Sequence, residues 1–553
     1  MATLLTQKIW RKTLTSITAS IRPDTPDDAL VQMIHSGVTI LRINLSWFKE
    51  KYKQQWILKI AKISSIASDE KLVLGIMIDT RGPEFRVAGM GPNATTVRKE
   101  KTGYEYKAGA DVLLTLDPSV ECCDENRIAV NAPRTRFGEL GNRVVFCDGD
   151  YEANIISSKS EGVSIKIRAE RPICVWEGAK VNFPGTVVTA KALSDEDQSA
   201  IRFFVDEAGR DLDRRVNFMF AQSFIKSVED VNRLRHFLED TWNWVDPIII
   251  AKLETLETSR EKNLRRIIKA STAIMIARGD LANETSRQEV PKLQRQIIKA
   301  AKEFNKPVLL ATQVYASMSD AENINCQRPE AEDVRSALEW GVDGFVLTGE
   351  TTSDERTERT KDPQKVVQAL ADQIRKDESD LIESGYYTPF GRRAQKQHYK
   401  DMRKRMRDPG LPLKEQRWLG TTDFAIAAVF RANAYRAIGL FPFTKGGATV
   451  REMNRFYPET EVYALANEPD AAQRLLLYRC THPILVDFTG DDMGEFKVDD
   501  FKKLVRQIIN DLRLRERKPN AKYAIGTMAH PLLKAGGTDI LMRIRIDEVE
   551  EED

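Results

Sequence analysis

Charged side chains that could do chemistry follow short apolar runs in this 553-residue chain. Two are carboxylates, Glu254 and Asp280, and a basic residue, Lys252 or Arg278, stands two positions before each. Two carboxylates with basic neighbours make a poor zinc site but a good magnesium site, because Mg²⁺ prefers oxygen ligands and keeps several waters. The combination suggests phosphoryl transfer, in which catalysis is mainly positioning and charge neutralisation.

Each of these residues also has a simpler explanation. An isolated Asp or Arg at a strand end is more often a structural ion pair or a helix cap, and Lys252 alone could equally be the Schiff-base lysine of an aldolase. The sequence Arg278-Gly279-Asp280-Leu281 adds a backbone argument. A glycine before an acidic residue at a helix start lets peptide N–H groups approach an anion such as a carboxylate.

Composition excludes several other classes of function. Lys plus Arg total 84 and Asp plus Glu total 82, a balance that argues against nucleic acid or an anionic membrane as a partner. The six Cys show no CxxC and the five His no HExxH, so we expect neither a zinc site nor a disulfide framework. No apolar run reaches the length of a membrane span, and we expect a soluble, cytoplasmic protein.

Eight apolar runs supply the elements that must position these residues. The runs are rich in Ile, Val, Leu and Phe without alternation, which is typical of parallel strands buried on both faces, and helix-period sequence lies between most of them. They are Thr15–Ile21, Val38–Asn44, Leu72–Asp79, Val216–Phe224, Pro247–Lys252, Ala273–Arg278, Pro307–Thr312 and Gly344–Glu350. Eight strands alternating with helices predict a (β/α)₈ TIM barrel of the α/β class.

In such a barrel the functional residues lie at the carboxyl ends of the strands, where they share one face of the fold. The polar residues that end the runs are therefore our candidates for one site. They are Arg42, Asn44, Ser46, Asp79, Thr80, Glu84, Arg86, Lys252, Glu254, Arg278, Asp280, Thr312, Gln313 and Glu350.

Spacing along the chain predicts five segments. The long gap between the third and fourth runs holds short, partly alternating strands, which indicates an inserted β-rich domain. The predicted segments are 1–87 for the first part of the barrel, 88–184 for the inserted β-rich lid domain, 185–375 for the second part of the barrel, 376–417 for a charged linker or insertion, and 418–553 for a C-terminal open α/β domain. No Walker A pattern occurs, so a nucleotide would be held by side chains or by the inserted domain.

Seven short motifs resemble those of the pyruvate kinase family, in the family's order and through nearly the whole chain. They are 41–46, similar to RLNFS; 78–86, similar to LDTKGPEIR; 181–185, similar to VNLPG; 251–254, similar to AKIE; 277–281, similar to ARGDL; 311–313, similar to ATQ; and 349–351, similar to GET. The resemblance implies phosphoryl transfer from phosphoenolpyruvate to ADP, giving pyruvate and ATP in the last step of glycolysis. It also implies Mg²⁺ (or Mn²⁺) and K⁺ as cofactors.

The resemblance further implies a role for each matching residue, with the inserted domain closing as a lid that excludes water. The substrate would contact Lys252 and Arg42 at the phosphoryl group, the amides of Gly279 and Asp280 at the carboxylate, and Thr312 near the enolate carbon that takes up a proton. The ions would be held by Glu254 and Asp280 for Mg²⁺, and by Asn44, Ser46, Asp79 and Thr80 for K⁺, with Glu84 as the residue type of the potassium-dependent branch. The nucleotide phosphates would lie toward Asn44 and Arg86.

A glycine-rich loop of the C-terminal domain resembles the family's phosphate-binding effector loop. Its residues are Thr444, Lys445, Gly446, Gly447 and Thr449, and 534–538 resembles the second loop of that site. A hydroxyl, a cation and flexible glycines after a strand can cradle a sugar phosphate, although an ordinary turn before a helix explains the same residues. Since the family forms tetramers, we expect a homo-oligomer.

Several positions depart from the family pattern. Trp47-Phe48 stands where His-Gly is usual, Ala179 stands before Lys180 where the family has a basic residue, and Arg22 replaces a usual Gly. These departures leave two rival functions open. One is a weak or inactive pyruvate-kinase-like protein with a scaffolding or sensing role, and the other is a phosphoenolpyruvate- or pyruvate-dependent lyase on a similar barrel.

Overall fold

A computed structural model of the chain contains the two architectures that the sequence predicts, a parallel eight-stranded barrel and an open α/β domain, and it confirms the fold class. The structure describes residues 13–97, 101–117, 119–131, 141–159, 162–168, 171–186, 191–319, 323, 325–352, 362–385, 400, 404–405, 413–486, 497–529, 538 and 540–546. Among these residues, no helix combines the length and apolarity that crossing a bilayer requires.

The first three barrel strands and two helices precede the insertion. They are β1 (Ser16–Ile21), α1 (Asp27–His35), β2 (Val38–Asn44), α2 (Lys53–Glu70) and β3 (Leu74–Asp79). Every residue of β1 and β3 is buried, which explains why these runs show no polar–apolar alternation. The carboxyl end of β3 places Asp79 inside the barrel mouth, level with Asn44 of β2.

The inserted domain contains twelve of the described strands and a hydrophobic core of its own. They are β4 (Phe85–Val87), β5 (Gly89–Met90), β6 (Thr95–Thr96), β7 (Thr102–Tyr106), β8 (Asp111–Thr115), β9 (Cys122–Cys123), β10 (Arg127–Asn131), β11 (Arg143–Phe146), β12 (Tyr151–Lys159), β13 (Gly162–Ile167), β14 (Ile173–Trp176) and β15 (Lys180–Asn182). Seven of them close into a second barrel in the order β10-β4-β15-β11-β12-β13-β8. The sequence predicted short strands here but not their closure.

The chain then returns to complete the first barrel. The elements are α3 (Asp195–Arg202), β16 (Val216–Gln222), α4 (Val228–Trp242), β17 (Ile249–Leu253), α5 (Leu256–Ser259), α6 (Glu261–Ala270), β18 (Ala273–Ala277), α7 (Arg278–Glu284), α8 (Val290–Glu303), β19 (Val308–Ala311), α9 (Arg328–Glu339), β20 (Gly344–Leu347) and α10 (Pro363–Ser384). All eight strand pairs of the barrel are parallel, in the order β1-β2-β3-β16-β17-β18-β19-β20.

The turn by which the chain leaves the barrel is fixed by Asp197 at the start of α3. Its buried carboxylate accepts hydrogen bonds from the backbone N–H groups of Arg81 at 2.8 Å and Gly82 at 3.0 Å. The same carboxylate accepts a bond from the Ser194 hydroxyl at 3.0 Å, as part of a capping box. The Asp197 side chain thus links the turn at which the chain leaves the barrel to α3, the first helix after the chain returns from the inserted domain.

The C-terminal domain packs against the amino ends of the barrel strands, away from the mouth. Its elements are α11 (Leu413–Ala434), β21 (Leu440–Thr444), α12 (Ala448–Arg455), β22 (Val462–Ala466), α13 (Pro469–Leu475), β23 (Thr481–Leu485), α14 (Val498–Asp511), α15 (Leu514–Arg517), β24 (Tyr523–Met528) and β25 (Ile540–Arg545). The sheet order is β23-β22-β21-β24-β25, with β25 antiparallel at the edge. Asn217, near the start of β16, donates to Asp470 of α13 at 2.8 Å.

Helices occupy both ends of the segment predicted as a charged linker, 376–417. Helix α10 continues to Ser384 and α11 begins at Leu413, so both helices extend into the predicted linker. Glu378 explains the first extension, because its buried carboxylate accepts bonds from the backbone N–H groups of Leu14 and Thr15, each at 2.8 Å. In the sequence, a polar residue at position 378 suggests a linker. In the structure, Glu378 anchors α10 to the two residues that precede β1. Most of the basic run between 392 and 407 lies outside the described residues.

The barrel closes between β1 and β20, where the two strands approach closely. The Ser16 and Ser20 hydroxyls donate to the carbonyl oxygens of Asp343 at 3.0 Å and Leu347 at 2.8 Å. A Cβ atom added to Gly344 would lie 2.1 Å from Ser16 Oγ and 2.8 Å from Leu309 Cδ2. The junction therefore requires glycine at position 344.

We predict that Gly344→Ala lowers the free energy of unfolding by about 1–3 kcal/mol, because the added methyl group overpacks this junction. Gly420→Ala is the matched control, since a Cβ there meets no atom within 4 Å and the residue lies inside α11. We expect the control to be neutral or stabilising by up to about 1 kcal/mol. Denaturant unfolding of both variants measures the difference, and equal effects would contradict the packing argument.

Candidate active site

A cavity of about 540 Å³ lies between the carboxyl ends of the barrel strands and the inserted domain. Ten of the residues predicted from strand ends line it: Arg42, Asn44, Ser46, Thr80, Glu84, Arg86, Lys252, Glu254, Asp280 and Thr312. The inserted domain adds Lys101, Cys147, Asp150, Trp176 and Lys180. Residues far apart in the sequence thus meet at one face of the barrel, as the predicted topology requires.

The floor of the cavity is a buried ionic network centred on Asp79. One carboxylate oxygen lies 2.9 Å from the Lys252 ammonium, and the other accepts a bond from Arg42 Nε at 2.7 Å and lies 2.6 Å from its Nη2. Arg42 also donates to the Ser20 hydroxyl at 2.7 Å. Asp79 is fully buried, and Arg42 and Lys252 are 6% and 8% exposed. Two cations are therefore fixed with little water around them, facing an enclosed space.

Charge decides the protonation states in this network. Burial alone would raise the pKa of Asp79, but the charges of Lys252 and Arg42 outweigh it and hold the pKa below its ordinary value. Burial alone would lower the pKa of Lys252, whereas Asp79 and Glu254 raise it above its ordinary value. Lys252 is therefore a permanent ammonium, which disfavours the Schiff-base alternative, because imine formation needs the neutral amine.

Glu254 and Asp280 supply carboxylate oxygens beside this network. Glu254 Oε2 accepts a bond from the Phe224 backbone N–H at 2.8 Å. Its buried Oε1 forms an ion pair with the Lys252 ammonium at 2.9 Å. Asp280 Oδ1 forms an ion pair with Lys180 of the inserted domain. Burial raises the pKa of Glu254, with Lys252 opposing the shift and Asp280 adding to it.

This donor set fits a small hard cation with few protein ligands. Among the described residues no group of three or more His, Cys, Asp and Glu side chains is arranged to hold a metal ion. The carboxylates of Glu254 and Asp280 line the same cavity and offer oxygen ligands only. Mg²⁺ is usually bound by one or two carboxylates, with water or substrate oxygens completing its octahedron.

The four residues predicted to bind K⁺ lie together at the ends of β2 and β3. Asn44 Oδ1 accepts a bond from the Ser46 backbone N–H at 2.9 Å, and the Thr80 carbonyl oxygen accepts one from the Ser223 hydroxyl at 2.6 Å. Glu84, beside them, pairs with Arg86 at 2.8 Å. Their oxygens are mostly occupied by partners within the protein, and Asp79 is shared with the ionic network.

Thr312 and Gln313 follow β19 in a strained conformation. Their φ angles are 67° and 52°, in the left-handed region, which is unusual for a β-branched residue such as threonine. Arg278 holds this conformation, since its Nη2 donates to the carbonyl oxygens of Thr312 at 2.7 Å and Gln313 at 2.8 Å. Arg278 also pairs with Asp333 of α9. The strain places the Thr312 side chain at the cavity wall.

The predicted site residues differ in how directly they face the cavity. The Gly279 amide, expected to hold a substrate carboxylate, donates to Thr312 Oγ1 at 2.8 Å. Arg278 and Gln313 line a separate cavity of about 450 Å³ on the flank of the barrel. Glu350 is buried, and it accepts bonds from the backbone N–H groups of Val314 at 3.1 Å and Thr348 at 2.7 Å. These four residues therefore support the cavity wall and do not line the cavity themselves.

The effector-loop residues lie in the C-terminal domain, between β21 and α12. The Gly447 amide donates to Thr444 Oγ1 at 2.9 Å, and Gly447 adopts a φ of 77°. Thr449 Oγ1 lies 2.7 Å from Thr538 Oγ1, and Lys445 is exposed. The predicted second loop, 534–537, lies outside the described residues.

Sequence reasoning missed Ser223, Phe224 and the position of Lys180 in this site. The Ser223 hydroxyl accepts a bond from Lys252 Nζ at 2.7 Å, and the Phe224 backbone holds Glu254. The fourth apolar run ends at the apolar Phe224, so it contributes no polar strand-end residue to the predicted site. The contact between Lys180 and Asp280 joins residues 100 positions apart in two different domains, and no local pattern signals it.

Two family models match the chain. The model for the pyruvate kinase barrel domain matches residues 11–358, and the model for the pyruvate kinase alpha/beta domain matches residues 423–544. A pyruvate kinase of Dictyostelium discoideum is 27% identical over 490 residues, which cover 86% of this chain and 84% of the relative. One from Thermoplasma acidophilum is 26% identical over 535 residues, covering 95% and 81%. One from Kluyveromyces lactis is 28% identical over 497 residues, covering 89% and 88%.

We predict that Arg278→Met lowers the free energy of unfolding by about 1.5–3 kcal/mol, because the carbonyl oxygens of Thr312 and Gln313 lose their charged donor. Amide hydrogen exchange should become faster at residues 312–315, and denaturant unfolding measures the change in stability. Arg295→Met, on the exposed face of α8, is the control and should change stability by less than about 0.5 kcal/mol. Unchanged exchange at 312–315 would show that Arg278 does not hold the strained turn.

Proposed function

Because this chain belongs to the pyruvate kinase family, we propose that it is an active pyruvate kinase, which transfers a phosphoryl group from phosphoenolpyruvate to ADP and yields pyruvate and ATP. The observation that carries the proposal is the fixed pair of buried cations, Lys252 and Arg42, held by Asp79 at the floor of the cavity. A migrating phosphoryl group carries spread negative charge, and preorganised cations in a site with little water stabilise it best.

Lys252 and Arg42 supply this stabilisation without rearrangement. Each ammonium or guanidinium group is already oriented by hydrogen bonds, Lys252 to Ser223 and Arg42 to Ser20, each at 2.7 Å. Their positions therefore need not be reorganised as charge develops on the phosphoryl oxygens. Since the pKa of Lys252 lies above its ordinary value, it keeps its charge throughout the neutral pH range.

The carboxylates of Glu254 and Asp280 would hold Mg²⁺ or Mn²⁺, and the oxygens of Asn44, Ser46, Asp79 and Thr80 would hold K⁺. A divalent ion held there would supply Lewis-acid chemistry that neutralises charge on the substrate. Support for the first site comes from the donor set: Glu254 and Asp280 line the same cavity, and carboxylate oxygens are the protein ligands that Mg²⁺ prefers.

Thr312 would position the step that completes pyruvate, in which the enolate carbon takes up a proton. Its side chain lines the cavity, and its strained backbone is held by Arg278. The amide of Asp280, and that of Gly279 after leaving Thr312 Oγ1, would hold the substrate carboxylate at the start of α7. The inserted domain covers the mouth and would exclude water that competes with ADP for the phosphoryl group.

The nucleotide would bind at the side of the cavity lined by Asn44, Trp47 and Arg86. Arg86 points toward this space from the start of the inserted domain, and its guanidinium also donates to the Gly178 carbonyl oxygen at 2.8 Å. Trp47 is bulkier than the family's usual histidine, and the Arg22 guanidinium lies 5.5 Å from its ring centroid. Trp47 and Arg22 together would leave less space on the nucleotide side of the cavity than a histidine at position 47 would leave.

The C-terminal loop from Thr444 to Thr449 would bind a phosphorylated effector, supported by its exposed lysine and its left-handed glycine after a strand. A homo-oligomer, tetrameric as in the family, completes the proposal. The scaffolding alternative is less favoured, because Lys252, Glu254 and Asp280 are all retained and meet at one cavity. The lyase alternative does not explain the inserted or C-terminal domains.

A coupled assay of pyruvate formation from phosphoenolpyruvate and ADP tests the proposal directly. We expect turnover that requires Mg²⁺ or Mn²⁺ and that rises when K⁺ replaces Na⁺. Folded protein without turnover under any of these ionic conditions would support the scaffolding or sensing role instead.

We predict that Lys252→Met lowers kcat by about 10²-fold or more, since it removes a preorganised charge that stabilises the transition state. Lys299→Met is the control, because Lys299 is an exposed lysine of α8 and should leave kcat unchanged. Steady-state kinetics and a circular dichroism spectrum measure activity and folding together. A folded Lys252→Met variant with near-normal kcat would exclude the proposed role.

We also predict that Trp47→His lowers the KM for ADP several-fold, because the smaller ring widens the nucleotide side of the cavity and releases the contact with Arg22. The KM for phosphoenolpyruvate serves as the internal control and should stay constant, since the ionic network is untouched. An unchanged KM for ADP would place Trp47 outside the nucleotide site.

A further inference from the structure

Lys180 brings a positive charge from the inserted domain into the candidate metal site. It is the first residue of β15, the strand by which the chain returns to the barrel, and its ammonium forms an ion pair with Asp280 Oδ1. The side chains of Lys180 and Asp280 are only 12% and 18% exposed, and the Lys180 ammonium lies 5.5 Å from the Phe224 ring centroid. The pair is therefore largely removed from solvent, where charge interactions are strong.

Other contacts hold the inserted domain in the position that makes this pair. Arg143 of β11 donates to the Asn283 carbonyl oxygen of α7 at 3.3 Å, and also to that of Thr285. Asn283 Nδ2 donates to Asn182 Oδ1 of β15 at 3.5 Å. The helix that carries Asp280 is thus the surface on which the inserted domain rests. A change in the position of the inserted domain would therefore also change the surroundings of Asp280.

Three basic side chains form ion pairs with the carboxylates at the candidate metal site. Three cations meet three carboxylates there: Arg42, Lys252 and Lys180 against Asp79, Glu254 and Asp280. Arg42 pairs with Asp79, Lys252 is shared between Asp79 and Glu254, and Lys180 pairs with Asp280. A lysine ammonium is a cation with donors only, so it would compete with a divalent cation for the Asp280 carboxylate.

We propose that Lys180 is an internal counter-ion of the metal site, which holds Asp280 until a divalent cation displaces it, so that metal binding is coupled to the position of the inserted domain. The inference rests on the proposed function only in taking Glu254 and Asp280 as the metal ligands. Displacement leaves the Lys180 ammonium on its flexible stem within the cavity that the substrate phosphates would enter. Lys180 is in this sense a positioning residue for the metal site.

Binding of Mn²⁺ alone to the full-length protein, measured by electron paramagnetic resonance without substrate and at constant K⁺, tests the proposal. We expect Lys180→Met to bind Mn²⁺ about tenfold more tightly than the wild type, because the competing cation is gone. Lys180→Arg should bind within about twofold of the wild type, since it keeps the charge. Lys101→Met is the matched control: Lys101 lines the same cavity, 4.2 Å from the Trp176 ring centroid, and its loss should change the affinity far less.

Thermal unfolding provides a second measurement, which is independent of the Mn²⁺ affinity measured by electron paramagnetic resonance. Without metal, Lys180→Met should unfold at a lower temperature, because a buried carboxylate loses its partner. Added Mn²⁺ should raise its Tm more than that of the wild type. Lys180→Gln has no charge and should follow the same trend, which keeps the test available if the methionine variant does not fold.

Asp280→Asn separates this proposal from the proposed function. Weakened Mn²⁺ binding in Asp280→Asn, combined with unchanged or weaker binding in Lys180→Met, would overturn the counter-ion role and leave the metal site standing. Unchanged Mn²⁺ binding in Asp280→Asn would overturn the metal site itself.

Discussion

The pairing of Asp79 with Lys252 and Arg42 is the constraint on which the rest of the site depends. A buried carboxylate between two cations is costly to break, because removing one partner leaves an uncompensated charge with little access to water. The network therefore fixes the ends of β2, β3 and β17 relative to one another. The neighbouring carboxylate Glu254 is aligned by the same ammonium. These ion pairs fix the side chains at the barrel mouth, and the buried apolar strands below them hold the backbone in place.

Next to this network, a strained backbone segment is stabilised by its neighbours. Thr312 has an unfavourable backbone conformation, which is held by the guanidinium of Arg278 and by the bond from the Gly279 amide. Arg278 lies outside the cavity and still determines the shape of its wall. A similar indirect control operates at Asp197, which fixes the turn leading into the inserted domain. Residues one layer behind the site thus set its geometry, as expected for a preorganised site.

The eight barrel strands could be predicted from the sequence because each is an uninterrupted apolar run, buried on both faces. The polar residues at their ends could be predicted as neighbours, because the topology brings those ends together. Ser223 could not be predicted in this way, because its run ends one residue later at the apolar Phe224 and presents no polar end. Lys180 and Asp280 could not be paired, because the contact depends on how the inserted domain rests on α7. Glu378 resembles a linker residue in the sequence, and only its burial against β1 reveals its structural role.

The junction between β1 and β20 also sets the order in which the molecule can form. Ser16 bonds to a carbonyl 327 residues later in the chain, and the cations of the mouth lie on strands that this closure holds together. Contacts so distant in sequence close late, since the entropy of a long loop must be overcome first. The inserted domain has its own core and can fold earlier, during synthesis. The nascent chain thus lacks an assembled barrel mouth until its last barrel strand has left the ribosome.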